Sequence, residues 1–322
     1  MYKQFFELKA NPFNVNPDPR YLFLTGHTEE ALACLIYGIE TRKGFVLLTG
    51  EVGTGKTTLV NKVLEELRRK QVATAFLFNP RLDVPQFLSY VLADFGIACR
   101  SKSKGEMLRR LNDWLVERHG AGQTSVLIVD EAQNLSDELL EEVRLLTNLE
   151  TSTAKLLQVV LVGQPELEAK LKQPQLRQLR QRLTLRARTY PLTLTETEAY
   201  VRERLRVAGA PGQTIFSSEA LAALHRFSSG IPRVVNLLCE HCLINAFVDH
   251  QKTVSGVAVE TVARDLDLGT DCAGCEASSA EVAQELLRER FDLVDTMRTI
   301  GAWLASYGAG SQSRFGVRKG RA

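Results

Sequence analysis

No apolar run in the 322-residue chain approaches the roughly 20 positions that a membrane span needs. The beginning, Met1-Tyr-Lys-Gln-Phe5, lacks the apolar centre of a signal peptide. A surplus of one charge is missing too. Forty Lys and Arg stand against 38 Asp and Glu, a formal +2, so polyanion binding would have to come from local basic stretches and not from bulk charge. Cysteine is sparse, six in all, and without a secretory signal it suggests reduced thiols in a cytoplasmic setting. No internal repeat is visible. What remains is ordinary: 44% hydrophobic and 24% charged residues, which excludes disorder and fits a soluble globular protein. The length suits about two domains.

Residues 1–25 are rich in aromatics and Pro (Phe5, Phe6, Pro12, Phe13, Pro19, Tyr21) and are expected to form an extended arm packed onto the rest. Apolar spacing predicts a helix over Glu29–Thr41. Short apolar runs follow at Phe45–Thr49, Ala73–Phe78, Val126–Val129 and Leu156–Val162, with a fifth near Leu183–Thr189. They read as strands buried on both faces. Helical patterns separate them, at Lys56–Lys70, Val84–Phe95, Lys104–Arg118 and Asp137–Leu149. That alternation predicts an α/β fold with a parallel sheet. After Pro191 strand signals stop, and Thr195–Val207, Ser217–Ser228, Pro232–Val248 and Ser255–Leu266 read as helices, with caps offered by Thr195 and Ser217. The expected organisation is an arm (1–25), a phosphate-loop ATPase domain (26–191), a small all-helical lid (192–268), and a linker, amphipathic helix and basic tail (269–322).

Gly50-Glu51-Val52-Gly53-Thr54-Gly55-Lys56-Thr57 satisfies the phosphate-loop pattern, with a strand before it and a helix, beginning Lys56-Thr57-Thr58, after it. Glycines let backbone N–H groups wrap phosphate oxygens, and the helix presents its positive end to the same anion. Lys56 reaches the β- and γ-phosphates of ATP, and the Thr57 hydroxyl can ligate Mg²⁺. The strand Val126-Leu-Ile-Val129 ends in Asp130-Glu131. Asp130 is expected to hold Mg²⁺, and Glu131 to deprotonate the attacking water. A phosphate loop, an Asp-Glu strand end and a following helical domain narrow the class to AAA+ ATPases. A small-molecule kinase would lack the Glu and the appended helices.

Further stretches carry a closer resemblance: Phe5-Phe-Glu-Leu8, Asn11-Pro-Phe13, Pro17-Asp-Pro-Arg-Tyr-Leu22, Gly44 to Thr58, Asp130-Glu-Ala-Gln-Asn-Leu135, Arg144-Leu-Leu-Thr-Asn-Leu-Glu-Thr151, Val162-Gly-Gln-Pro-Glu-Leu167, Leu176-Arg-Gln-Leu179, Gln181-Arg-Leu183, and Ser229-Gly-Ile-Pro-Arg233 to Asn236-Leu-Leu-Cys239. Over residues 1–268 the chain resembles the general secretion pathway protein A family of AAA+ ATPases. The resemblance implies an oligomeric, ring-forming ATPase that energises bacterial envelope secretion machinery, cytoplasmic or peripheral at the inner membrane. Longer members continue into a membrane helix and a peptidoglycan-binding domain. Here Leu293–Ala309 is interrupted by Asp295 and Arg298 and is too short to span, so that role does not carry over.

Residues 169–195 hold seven Lys and Arg and no acid. An AAA+ protein usually points an Arg from just before its last strand into the neighbouring subunit's nucleotide. Arg182 is the first choice by position and Arg177 the second; a solvated basic surface is the plain alternative. Arg233, opening a lid helix, matches the superfamily's sensor 2, which contacts the γ-phosphate in cis. Gln164, after the fourth strand, matches sensor 1, with a turn residue as the alternative. Asn11-Pro12-Phe13 could pack on adenine or simply cover a surface. Cys239/Cys242 and Cys272/Cys275 form two Cys-x-x-Cys pairs with 29 residues between them. The first pair falls within a helix, where core thiols are commoner than zinc ligands. The rival function is an ATP-gated DNA-binding transposition helper, its phosphate contacts drawn from the basic segment and tail. Finally, Glu281–Ser306 has an apolar stripe expected to dock on a partner, a membrane surface or the lid.

Overall fold

Consecutive apolar residues at Phe45-Val-Leu-Leu-Thr-Gly50 suit a strand covered on both sides, and every residue of β1 (Phe45–Gly50) is buried. In this computed structural model the described residues are 2–268, apart from 15, 17, 79–81, 153 and 211–213. The linker, the helix expected at Glu281–Ser306, the basic tail, Leu293–Ala309 and the pair Cys272/Cys275 lie outside them. β2 (Ala73–Leu77), β3 (Ser125–Val129), β4 (Leu157–Gly163) and β5 (Leu183–Thr189) join β1 in one sheet, ordered β2-β3-β4-β1-β5. All four pairings are parallel. Leu48 stands opposite Val162, and Ile128 opposite Val160.

In chain order the helices of this region are α1 (Tyr2–Phe5), α2 (Gly26–Glu40), α3 (Lys56–Arg69), α4 (Val84–Asp94), α5 (Lys104–Gly120), α6 (Asp137–Leu146), α7 (Pro165–Leu171) and α8 (Arg177–Arg182). Successive strand residues face opposite ways, so the sheet has two cores. Val46, Leu48, Ile128 and Val160 pack with α2 and α3. Leu47, Leu127, Val159 and Leu161 pack with α4 to α8. The connection after β1 runs to β2 at the far edge, and the C-terminal ends of β1, β3 and β4 lie side by side.

After β5 come α9 (Leu194–Val207), α10 (Ser218–Ser228), α11 (Pro232–Val248) and α12 (Gly256–Asp265), built around a third core. The cap of α9 is Thr193, not Thr195: its side chain accepts from the Glu196 N–H, and Glu196 reaches back to the Thr193 backbone. Thr195-Glu-Thr-Glu198 has the same capping-box spacing, but the box forms two residues earlier, at Thr193-Leu-Thr-Glu196. Ser217 caps α10 as expected. The N-terminal segment is not simply extended. It starts with one helical turn, α1, and sends Phe6, Leu8 and Phe13 into the helical core, where Phe13 meets Phe216 edge-on. Arg204 on α9 clasps it. Nε donates to the Pro12 carbonyl at 2.5 Å, Nη1 to the Tyr200 hydroxyl at 2.6 Å, and the guanidinium lies over Tyr21, 4.6 Å from the ring centroid. Among the described residues no helix is long and apolar enough to cross a membrane.

Candidate active site

The loop between β1 and α3 is shaped by close approaches. A Cβ on Gly50 would stand 2.0 Å from the Thr189 hydroxyl. Gly53 has φ +82°, and a Cβ there would meet Ile231 and Arg233, each at 2.9 Å. Only glycine combines that backbone with that contact. The Thr54 hydroxyl shares a 2.7 Å hydrogen bond with Thr189 and bonds the Glu51 carbonyl at 2.8 Å, pinning the loop to β5. Glu51 and Val52 are exposed at its crest, and Gly55 caps α3.

Lys56 begins α3 and is buried, its ammonium donating to the carbonyls of Gly50 (2.7 Å) and Glu51 (2.9 Å). Burial pushes the ammonium below its ordinary pKa, and the carboxylates of Glu131, Asp130 and Glu51 pull the other way. Asp130 is buried at the end of β3. Burial raises its carboxyl above the usual range; the Glu131 N–H (2.9 Å), the Lys56 charge and the Thr57 hydroxyl oppose that rise. Thr57 and Asp130 therefore meet as neighbouring oxygen donors. Such a pair suits a hard cation that takes only one or two protein ligands beside phosphate oxygens. The glycine cradle, the buried ammonium and the helix end fit a nucleotide phosphate. Mg²⁺ and ATP thus match the residues present.

Glu131 has φ 50° and ψ 37°, left-handed for a non-glycine residue. Its Oε2 accepts from Gln133 Nε2 (2.5 Å) and Gln164 Nε2 (3.1 Å). Gln164, at the end of β4, is thus next to the expected base. Gln133 was not among the residues singled out from the sequence. A residue two beyond the base, in a 3-10 turn (Ala132–Asn134), leaves no periodic signal.

The helical domain touches the loop directly. The Arg233 N–H donates to the Gly53 carbonyl at 3.2 Å, and the exposed side chain passes over Gly53. The basic segment divides in two. Lys170 bonds the Leu135 carbonyl, Arg182 donates to Thr147 Oγ1 (3.0 Å) and the Arg144 carbonyl (3.4 Å) at the end of α6, and Arg188 pairs with Glu168 (2.6 Å). Arg177, Arg180 and Arg186 are exposed, as is Lys172. The last three edge a cavity of about 150 Å³ floored by Leu47, Leu171 and Leu183, on the face of β1 away from α3. Arg182, the first choice for a trans-acting finger, is thus engaged within its own subunit. The Arg177 side chain, at the first turn of α8, makes no hydrogen bond or ion pair among the described residues; its backbone N–H donates to the Pro174 carbonyl.

Cys239 and Cys242 are buried thiols in the core of the helical domain. Burial pushes Cys242 up to about 12 and Cys239 also upward, so both stay protonated. Among the described residues no group of three His, Cys, Asp or Glu could hold a metal. Asn11, Pro12 and Phe13 face the helical core and Arg204, with the Asn11 amide donating to Glu240 (3.1 Å).

A parallel sheet carrying a phosphate loop, an Asp-Glu strand end and a helical domain on that loop defines a P-loop ATPase of the AAA+ class. Residues 39–171 match the family described as AAA domain. Two solved structures share the fold: Drosophila ORC bound to DNA (22% identical, TM-score 0.62, 97% of this chain and 84% of that one) and the Aeropyrum pernix ORC2 protein (16%, TM-score 0.59, 80% and 71%). The nearer likeness is to General secretion pathway protein A of Aeromonas hydrophila, 48% identical over 248 residues, 77% of this chain and 45% of that protein. Over those residues the chain belongs to the general secretion pathway protein A family of AAA+ ATPases, and it spans about half the length of that relative.

Proposed function

We propose that the protein hydrolyses ATP with Mg²⁺ as an oligomeric motor that energises assembly or operation of bacterial envelope secretion machinery. The observation that carries this reading is the convergence of Lys56, Thr57, Asp130, Glu131 and Gln164 at the ends of β1, β3 and β4. Thr57 and Asp130 would hold Mg²⁺, which would supply positive charge to the phosphates. The backbone N–H groups of Gly53 to Thr58 receive the β-phosphate, and Lys56 exchanges the carbonyls of Gly50 and Glu51 for phosphate oxygens. Glu131 takes a proton from the water whose oxygen bonds to the γ-phosphorus as the bond to the β-γ bridging oxygen breaks. Gln164, whose amide donates to Glu131, orients that water. Arg233 reads the γ-phosphate in cis, so that residues 192–268 act as a lid on the ATPase domain, 26–191.

The trans-acting arginine is Arg177. Arg182 donates to Thr147 and the Arg144 carbonyl at the end of α6, whereas the Arg177 side chain is exposed and unpaired among the described residues, which leaves it open to a neighbour's nucleotide. Activity per subunit therefore rises with protein concentration. Mixing Arg177→Ala with Glu131→Gln subunits restores part of the activity, because some contacts join an intact finger to an intact site. Concentration-independent turnover by a persistent monomer overturns the oligomeric reading. The site of action is the cytoplasm or the cytoplasmic face of the inner membrane, with a secretion component as partner.

The exposed Lys172, Arg177, Arg180 and Arg186 favour one second reading, an ATP-gated DNA-binding helper. Binding to duplex DNA that weakens steeply with salt would select it.

A further inference from the structure

The carboxylate of Glu131 is held unevenly. Oε2 accepts two amide donors, Gln133 Nε2 and Gln164 Nε2, while Oε1 takes no protein donor among the described residues. The backbone beneath it is left-handed at φ 50°, a conformation that a non-glycine residue keeps only when its surroundings enforce it. Gln133 belongs to those surroundings. Its Oε1 accepts the backbone N–H of Gln164 at 3.2 Å. With the amide oxygen committed to an N–H donor, the amide nitrogen must face Glu131, so the orientation of Gln133 follows from the network. The side chain is a cross-brace from the end of β4 to the end of β3.

The braced space is made by Gly163. A Cβ there would lie 2.8 Å from Gln133 Oε1 and 2.8 Å from Leu167 Cδ2. Lys170 adds support by donating to the carbonyls of Gln133 (3.4 Å) and Leu135. Thus the ends of β3 and β4 meet on the Gln133 side-chain amide, and α7 holds the backbone of the same turn.

We propose that Gln133 is a positioning residue for hydrolysis: it fixes the Glu131 carboxylate through Oε2, so that Oε1 is the oxygen that accepts the proton from the attacking water. This rests on the reading of Glu131 as the base. Gln164 shares Oε2 at 3.1 Å, the longer of the two bonds, so Gln133 at 2.5 Å is the closer hold on the carboxylate. Neither amide gains or loses a proton.

The test measures steady-state ATP turnover and the Kd for ATP with Gln133→Ala, in the wild-type and Glu131→Gln backgrounds. In the wild-type background kcat falls about 10- to 100-fold, the loss typical of a misplaced reacting group. KM and Kd stay unchanged, because the brace touches no phosphate-binding residue. In the Glu131→Gln background the same substitution produces no further fall, since there is no base left to position. Gly163→Ala, which displaces Gln133 without removing it, gives the same pattern. If Gln133→Ala does not fold, Gln133→Met keeps the volume and carries the same expectation. Wild-type kcat in Gln133→Ala refutes the proposal, as does an equal fall in both backgrounds or a rise in Kd matching the loss of kcat. If Glu131→Gln itself turns over at the wild-type rate, the base assignment fails instead, so the two failures are distinguishable.

Discussion

Removing the Arg204 guanidinium should loosen the N-terminal segment from the helical domain by a measurable amount. Arg204 is 7% exposed and makes no ion pair among the described residues, although its charge joins the Arg20 hydrogen bond in lowering the Asp18 carboxyl. It is held by the Pro12 carbonyl at 2.5 Å, the Tyr200 hydroxyl at 2.6 Å and the rings of Tyr21 and Tyr200. Arg204→Ala removes two charge-assisted hydrogen bonds of ~1.5–3 kcal/mol each and cation–π contacts of ~1 kcal/mol. It also relieves the desolvation of a buried cation, which offsets part of that loss. A net destabilisation of about 3 kcal/mol follows, which at ~2–4 °C per kcal/mol in a domain of this size lowers Tm by about 6–12 °C. Arg204→Lys loses nearly as much, because an ammonium cannot reach a carbonyl and a hydroxyl while stacking on a ring. Thermal unfolding followed by circular dichroism measures the shift, and limited proteolysis detects new cleavage between Phe13 and Thr25. Because Tyr21 belongs to the turn (Pro19–Tyr21) that packs against both α3 and α9, loosening there reaches the helix that carries the phosphate loop. An unchanged Tm together with unchanged cleavage would refute the clasp.

Lys56→Ala should abolish ATP binding, as read by fluorescent-nucleotide titration, because no other side chain offers a cation inside the loop; retained micromolar affinity contradicts this. Glu168 gives a pH signature. Burial raises its carboxyl, but the Arg188 guanidinium and the Thr49 hydroxyl (2.5 Å) together outweigh burial and hold it below the ordinary range. A depressed carboxyl contributes stability that is present above its unfolded pKa and lost as the pH falls through the folded value. The Tm gap between wild type and Glu168→Gln should therefore be widest at neutral pH and close in acid below the ordinary carboxylate range. A gap independent of pH would mean that the Arg188 pair adds nothing.

Much of the fold was legible because the strands are buried on both sides and so spell continuous apolar runs. Leu183–Thr189 and Pro232–Val248 were bounded as observed, and each of the other four strands differs by a residue at one or both ends. Pro232 supplies one of those boundaries, since it fits a first helical turn and no later one. The phosphate loop and Asp130-Glu131 were legible for a different reason: their chemistry needs fixed residue types at fixed spacing. The strand order β2-β3-β4-β1-β5 was not legible, because every run is similarly apolar and pairing is decided by tertiary packing. Arg204 left a signal that passed unread. Thr197, Tyr200, Val201, Arg204 and Leu205 are the buried face of α9, so an arginine interrupts an apolar stripe. Arg177 and Arg182 could not be told apart by spacing, because their difference is whether a carbonyl and a hydroxyl at the end of α6 lie within reach. Gln133 lies inside the Asp130-Glu-Ala-Gln-Asn-Leu135 stretch, but its role is a contact between the ends of two strands that are 34 residues apart, Val129 and Gly163, which spacing alone does not encode.

The most direct test of the account is Glu131→Gln, with ATP affinity and ATP turnover measured on the same preparation. The substitution keeps the shape and the amide-accepting oxygen but removes the base. The account predicts wild-type affinity for ATP and a fall in turnover of about 10²- to 10⁴-fold, the usual worth of a general base. Turnover at the wild-type rate with ATP bound normally would contradict it.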